Sequence, residues 1–243
     1  VAAQLASCAP SYEAKLYAAS QTFDEARHVE FFNKFLQKQV GIMYPCGVGL
    51  KSLLDKILTD ERWDLKFIGM QVVVEGLALA AFNTAKMQSN IPVHKKGLHF
   101  VIRDEARHVT FGINYLEDFV KTLSSDEKEE RALFAFQAAT GMGGPRGNQT
   151  RFYERYGWDR EAVREHMAHS QLDNQSREFR TQLFGRIMPN LKRIGLLTNK
   201  VAPMWEELGV LELQDLPSDA RINWDEMAKP LVYEEIADSV VQA

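Results

Sequence analysis

Long stretches of this chain mix apolar and polar residues with few glycines and prolines, and no stretch alternates apolar and polar positions. This pattern is typical of helices and not of strands, so the sequence predicts an all-α protein. A first long helix is predicted from about Ser11, a suitable N-cap, to Gln39. The sequence YPCGVG at residues 44–49 ends it, and LKSLLDKIL predicts a short amphipathic helix after the break.

A second long helix is predicted from about Trp63 to Gln88, and between residues 67 and 85 only Glu75 is ionisable. A helix that is apolar on all sides lies either in a membrane or at the centre of a bundle. In a bilayer, Glu75 at mid-span would cost roughly 2.5–3.5 kcal/mol, and Gln71 and Asn83 add to that cost. We therefore favour a buried central helix.

Further breaks divide the rest of the chain into helices. Pro92 fits the first turn of a helix that runs to about Leu123, and the polar stretch SSDEKEE follows it. The clearest loop, at residues 140–150, lacks the Gly-Lys-Ser/Thr ending of a phosphate-binding loop. Charged amphipathic helices come next, and Pro189 is expected to kink or end one of them. The tail from about Glu212 is acidic and irregular.

Composition narrows the class of protein. The 243 residues are 45% hydrophobic and 26% charged, the balance of a soluble globular protein with a sizeable core. The net charge of −4 gives no indication of nucleic acid or an anionic membrane as partner. Cys8 and Cys46 form no CxxC pair, and the chain opens without a signal-peptide layout, so we expect a reducing, cytoplasmic setting.

The pentapeptide Asp-Glu-Ala-Arg-His occurs twice, at residues 24–28 and 104–108, each time inside a predicted helix. Its Glu and His are three residues apart, which places them about 60° apart on one face and roughly 4.5 Å apart along the axis. Such a pair can bind one metal ion, and two pairs joined by a Glu from another helix form a dimetal site. A buried, unpaired Glu75 would be costly, and a metal ion removes that cost. The predicted metal ligands are Glu25, His28, Glu75, Glu105 and His108.

The other charged residues of the two motifs are expected to support the ligands. A ligating histidine usually donates its second N–H to a carboxylate. In a crossed arrangement Asp24 would face His108, Asp104 would face His28, and each arginine would neutralise an aspartate. The supporting residues are Asp24, Arg27, Asp104 and Arg107. One Glu-x-x-His motif is a weak signal because most are surface pairs, but two identical copies in apolar surroundings favour a metal site.

With these motifs the chain resembles the ferritin-like non-haem diiron carboxylate family. That family includes bacterial monooxygenase hydroxylases, acyl desaturases and ribonucleotide reductase small subunits, and the chain is similar to bacterial proteins described as ferritin-like diiron oxygenases. The resemblance implies a ferritin-like four-helix bundle over residues 1–125, with its first helix largely missing. A C-terminal helical extension over residues 126–243 is expected to pack on the same domain. The family's first Glu comes from an earlier helix, so we expect a sixth ligand upstream of Val1.

Several positions depart from particular branches of that family. Ribonucleotide reductase small subunits usually have a radical-forming Tyr where this chain has Phe32. Diiron N-oxygenases have an extra His at the position of Val101, and monooxygenase hydroxylases often have a Thr at that of Leu79. His94 and His99 lie off the motifs and are expected behind the ligands or at the surface. The residues expected to form an apolar substrate pocket, or equally plain core, are Phe32, Val72, Leu79 and Phe111.

The resemblance implies an oxidoreductase that activates O2 at two iron ions, with Glu25, Glu75 and Glu105 as the catalytic carboxylates. The expected substrate is a small organic molecule, which would be hydroxylated, desaturated or N-oxygenated. A separate reductase or ferredoxin would supply electrons, because the chain has no flavin or Fe–S motif. A Mn/Fe pair fits the same donors, and a homodimer is compatible with such bundles. The alternatives are an iron-handling ferroxidase or ferritin-like protein and a non-catalytic helical-bundle subunit.

Overall fold

The protein is all-helical. The structure, a computed structural model, describes residues 1–141, 153, 155–167 and 171–221, and there is no strand among them. The helices in chain order are α1 (Ala2–Cys8), α2 (Tyr12–Phe35), α3 (Val48–Thr59), α4 (Trp63–Gln88), α5 (Pro92–Lys121), α6 (Ser125–Gly141), α7 (Arg160–Met167), α8 (Gln171–Ile194) and α9 (Ala202–Glu207). Two 3₁₀ turns follow, at Leu211–Asp215 and Asp219–Arg221. The prediction of an all-α protein is confirmed.

Local capping signals set where several helices begin. The Oγ atom of Ser11 accepts a hydrogen bond from the backbone N–H of Ala14 at 3.1 Å, so Ser11 is the N-cap of α2, as predicted. Pro92 occupies the first turn of α5, where a missing N–H costs nothing. Ser124 and Glu127 form a reciprocal capping box before α6, with Ser124 N–H donating to Glu127 Oε2 at 2.8 Å.

Two sequence-based expectations for the second half of the chain have different outcomes. Pro189 does not end a helix, because α8 continues to Ile194. The turns around it bury Ile187, Met188 and Leu191, and this packing holds the helix together despite the lost hydrogen bond. Beyond its first two residues, which complete α6, the loop predicted at 140–150 lies outside the described residues. So does the tail beyond residue 221.

Helix α4 lies at the centre of the core. Its middle, Ile68–Val74, is a π-helical segment between two α-helical parts, and it packs against α5 and α8. Side chains such as Phe67, Val72 and Leu79 are fully buried. By length and composition α4 could cross a membrane, but 72% of its most apolar window is buried inside the protein, as in a core helix.

Residues after α7 pack on this same core. Buried side chains of α8 and α9, including Ile187 and Trp205, belong to one hydrophobic cluster with those of α4 and α5. Asp219 is fixed in place by α8 through Arg186 Nη1 at 2.6 Å and Asn190 Nδ2 at 2.7 Å. Its backbone carbonyl accepts a hydrogen bond from Thr110 Oγ1 of α5 at 2.8 Å. The chain therefore returns to α5 two residues beyond the second motif.

A close approach between α4 and α5 depends on Gly112. A Cβ atom at Gly112 would lie 2.3 Å from the Cβ atom of Gln71, far inside van der Waals contact. Because the clash is with a Cβ atom, the main chain of one helix would have to move. A Cβ atom at Gly76, also inside α4, would meet only Ile187 Cγ1 at an ordinary 3.5 Å.

We predict that Gly112→Ala lowers the free energy of unfolding by about 1–3 kcal/mol, the usual effect of overpacking a core. Gly76→Ala is the matched control, since alanine gains up to about 1 kcal/mol over glycine inside a helix and has room there. Denaturant unfolding of the two variants and the wild type measures both effects. Equal stability of the two variants would show that α4 and α5 are not in the contact described.

Candidate metal centre

The two Glu-x-x-His motifs lie on facing turns of α2 and α5, and Glu75 lies where the π-helical segment of α4 ends. Ligand atoms of Glu25, Glu75, Glu105 and His108 all lie within 4.8 Å of one another. Glu75, Glu105 and His108 are buried, whereas the side chain of Glu25 is 29% exposed. Together these groups could hold a metal ion, and Glu25 faces the solvent.

His28 completes the group. Its Nδ1 atom lies 3.2 Å from Glu105 Oε1 and 3.4 Å from Glu25 Oε2, so all five predicted ligands are together. These five residues are called the carboxylate–histidine cluster below. His28 Nδ1 is buried and has no partner with hydrogen-bond geometry. Buried polar atoms are normally satisfied, and a cation between Nδ1 and the carboxylates would satisfy this one.

The outer nitrogen of each histidine contacts the aspartate of the other motif. His28 Nε2 lies 3.0 Å from Asp104 Oδ2, and His108 Nε2 lies 3.2 Å from Asp24 Oδ2. Since an ionised carboxylate only accepts hydrogen bonds, each Nε2–H must donate. In a neutral ring the lone pair is then on Nδ1, which faces the carboxylates. This is the crossed arrangement expected from the sequence, and it orients both rings for metal binding.

Both arginines of the motifs bind the aspartates from outside. Arg27 Nη2 donates to Asp104 Oδ2 at 3.2 Å and also to Asp24, while Arg107 Nη2 donates to both aspartates as well. Burial raises the pKa of Asp104, but the hydrogen bond with His28 and the arginine charges outweigh it and hold the pKa below its ordinary value. Asp104 therefore stays ionised and able to accept from His28.

The cluster binds protons where no metal is present. Burial raises the pKa of Glu75 well above that of an ordinary carboxyl group, and the carboxylate of Glu105 raises it further. Burial lowers the pKa of His28, but contacts with surrounding carboxylates, Asp104 first, outweigh burial and raise it to about 11. Burial acts to raise the pKa of Glu105, yet contacts with His108 and His28 hold it below its ordinary value. At neutral pH the metal-free cluster thus has a protonated His28, and Glu75 ionises less readily than an ordinary carboxyl group.

Sequence reasoning missed two amides beside the cluster. Gln21 and Gln71 are fully buried, and Gln21 Nε2 donates to Glu75 Oε1 at 2.8 Å. Each lies four residues before a glutamate of the cluster, and this spacing was the available signal. Tyr17, another turn earlier, stacks on Phe111 with ring centroids 3.7 Å apart and points its edge toward His108.

Of the four predicted pocket residues, Phe111 lies apart from Phe32. Phe32 follows the first motif and Phe111 follows the second, and because α2 and α5 are antiparallel they lie at opposite ends of the cluster. Phe32 stacks on Phe82 at 5.2 Å, while Val72 and Leu79 belong to the buried core. Phe111 lines two adjoining surface cavities of about 500 and 250 Å³, which none of the other three residues lines.

Two histidines outside the motifs, His94 and His99, lie elsewhere. His94 stacks on Phe35 at 4.3 Å and contacts Ser89 through Nδ1, and His99 lies beside Lys86. Glu13 is exposed in the first turn of α2. Among the described residues, no further carboxylate or histidine joins the cluster.

We predict that metal-free protein binds Mn²⁺ more tightly as the pH rises from 6 to 8. The metal must displace a proton from His28, whose pKa is about 11, so binding releases a proton throughout this range, and the raised pKa of Glu75 acts in the same direction. Competition titrations at three pH values should show roughly a tenfold gain or more per unit. Glu75→Gln, which has no proton to lose, should give a shallower slope. An affinity independent of pH would contradict the assignment.

No protein-family model, curated protein or solved structure matches this chain. The family resemblance carried by the motifs therefore has no support from those comparisons, and any function must be argued from the chemistry of the site. What the geometry establishes is a largely buried carboxylate–histidine cluster, held by three helices, that could bind a metal ion.

Proposed function

We propose that this chain is a ferritin-like non-haem diiron oxidoreductase that uses O2 to oxidise a small organic substrate. In this proposal α2, α4 and α5 are three helices of a ferritin-like four-helix bundle. The observation that carries it is the convergence of three carboxylates and two imidazoles from these helices on one largely buried point. Two bound iron ions would supply the electrons that reduce O2.

The donor set fits iron. It consists of carboxylate oxygens and imidazole nitrogens, and both cysteines are exposed outside it. Such donors suit iron or manganese, so the proposal includes a Mn/Fe pair. The rings of His28 and His108 have centroids 6.2 Å apart, and each ring has its own aspartate partner. The proposal takes the dinuclear arrangement of ferritin-like bundles, in which each of two ions would have one imidazole.

The chain's own groups would prepare the centre in two ways. Asp24 and Asp104 hold the protons of the two Nε2 atoms, so that both Nδ1 lone pairs point inward. The carboxylate of Glu75 would contribute negative charge to the bound metal. Buried apolar side chains of α4, including Val72 and Leu79, exclude water around these groups.

Continued turnover requires an external electron donor, because the sequence contains no flavin or Fe–S motif. A reductase or ferredoxin in the cytoplasm would fill this role, and a homodimer is compatible with it. The side chain of Glu25 is 29% exposed, and in this proposal O2 and metal would reach the cluster on that side.

We predict about two iron ions per chain after anaerobic loading with Fe²⁺, as a dinuclear carboxylate site requires. His28→Ala and His108→Ala should each lose bound iron, because each removes one imidazole and leaves the opposite aspartate without its partner. His94→Ala, which removes a histidine outside the cluster, is the matched control. Elemental analysis of the desalted proteins measures the content. Near-zero iron in the wild type would leave only a non-catalytic helical bundle.

A second candidate function is iron oxidation itself, as in a ferroxidase or iron-storage protein. The observation that favours it is the exposure of Glu25, since a metal that is also the substrate must enter and leave. Both candidates use the same cluster and both consume O2. They differ in whether an organic substrate and an external reductant are needed for continued turnover.

We predict that the iron-loaded protein consumes O2 catalytically when supplied with an electron donor and a suitable organic substrate. Its O2 consumption should then exceed the iron present many times over. A ferroxidase would instead consume O2 in fixed proportion to added Fe²⁺ and ignore organic compounds. An oxygen electrode with a compound panel separates the two, and Glu105→Ala should abolish both activities by removing a central carboxylate.

A further inference from the structure

Two neutral side chains occupy a place beside the cluster where apolar residues would be expected. Gln21 and Gln71 are as buried as the surrounding core. A buried amide without partners is costly, and replacing a hydrogen-bonded pair by apolar groups of the same shape is often nearly neutral for stability. Stability of the fold alone therefore gives little reason for a paired amide here.

The shorter contact between the two amides runs from Gln71 to Gln21, and a longer one runs back from Gln21 Nε2 to Gln71 Oε1 at 3.5 Å. Gln71 Nε2 donates to Gln21 Oε1 at 2.6 Å. The amide nitrogen of Gln21 then faces the cluster and donates to Glu75 Oε1 at 2.8 Å and to Glu25 Oε1 at 3.3 Å. If the Gln21 amide were turned over, its oxygen would face two carboxylates, and its nitrogen would face the amide nitrogen of Gln71. Gln71 thus sets the direction of Gln21.

The fold makes room for this arrangement. Gln71 lies in the π-helical segment of α4, directly against Gly112 of α5, where any side chain would displace it. The hydrogen bond that Gln21 accepts also polarises its amide and strengthens the N–H that it donates. Hydrogen bonds to a carboxylate are stronger than those between neutral groups.

We propose that Gln21 is a positioning residue that fixes the carboxylates of Glu75 and Glu25 for metal binding, and that Gln71 acts only through Gln21. The inference rests on the proposed metal centre. By holding one oxygen of Glu75, the amide restricts how that carboxylate can rotate. By reaching Glu25 as well, it keeps ligands from α2 and α4 in register.

Methionine variants test the proposal, because methionine matches glutamine in length and lacks the amide oxygen and nitrogen. Mn²⁺ is the probe, with affinity measured by competition titration and coordination by the EPR spectrum at saturation. Gln21→Met should lower the affinity about 10–100-fold and change the spectrum, as is typical when a group that orients a ligand is lost. Gln71→Met should have a smaller effect in the same direction.

The double variant gives the sharpest result. If Gln71 acts only through Gln21, Gln21→Met/Gln71→Met should bind Mn²⁺ no more weakly than Gln21→Met alone. The double variant also leaves neither amide without its partner, so it provides the measurement should a single variant fail to fold. Gln37→Met is the matched control and should leave affinity and spectrum unchanged, because Gln37 is exposed in the π-helical turn Leu36–Val40 that follows α2.

The outcomes separate this inference from the proposed function. If the wild type binds no Mn²⁺, the metal centre itself is wrong. If the wild type binds Mn²⁺ but Gln21→Met has the same affinity and spectrum, the positioning role is wrong and the metal centre stands. Additive losses from the two single variants would overturn the claim that Gln71 acts through Gln21.

Discussion

Mutual repulsion among three carboxylates is the constraint to which the rest of the site responds. Glu25, Glu75 and Glu105 come from three helices and meet in a largely water-free interior. Charges of one sign repel strongly there because little water screens them. Around them the charges alternate outward: imidazoles beside the carboxylates, aspartates behind the imidazoles, and half-exposed arginines behind the aspartates. Each layer stabilises the charge of the one inside it.

Backbone geometry brings these groups together. The π-helical segment of α4 widens the helix just before Glu75, and such segments often occur at functional sites. Gly112 lets α5 approach that segment closely enough for its motif to meet Glu75. On the other side of α5, Thr110 holds the backbone of Asp219, so the second motif is packed from the C-terminal part of the chain as well. The position of the site therefore depends on residues far from it in sequence.

The sequence was sufficient for the helices and for the residues of the carboxylate–histidine cluster, but not for the surroundings of that cluster. Ser11 and Pro92 mark helix starts by local chemistry, and the repeated motif with Glu75 marks the cluster, because these signals need no knowledge of the neighbouring helix. The amide of Gln21 could not be recognised in this way, since its partners depend on the register of α2 against α4. Phe32 and Phe111 each follow one of the motifs, and the antiparallel course of α2 and α5 places them at opposite ends of the cluster. Pro189 does not end α8, because the burial of its neighbours holds the helix together.

The two copies of the pentapeptide are related by an approximate twofold axis that passes between α2 and α5. Antiparallel helices with the same motif exchange partners, which is why each aspartate meets the histidine of the other copy. Among the described residues, Glu75 and the amides of Gln21 and Gln71 lie on one side of that axis. In this part of the chain the two histidines therefore have equivalent aspartate partners, and the difference between their surroundings comes from α4 and not from the repeated motif.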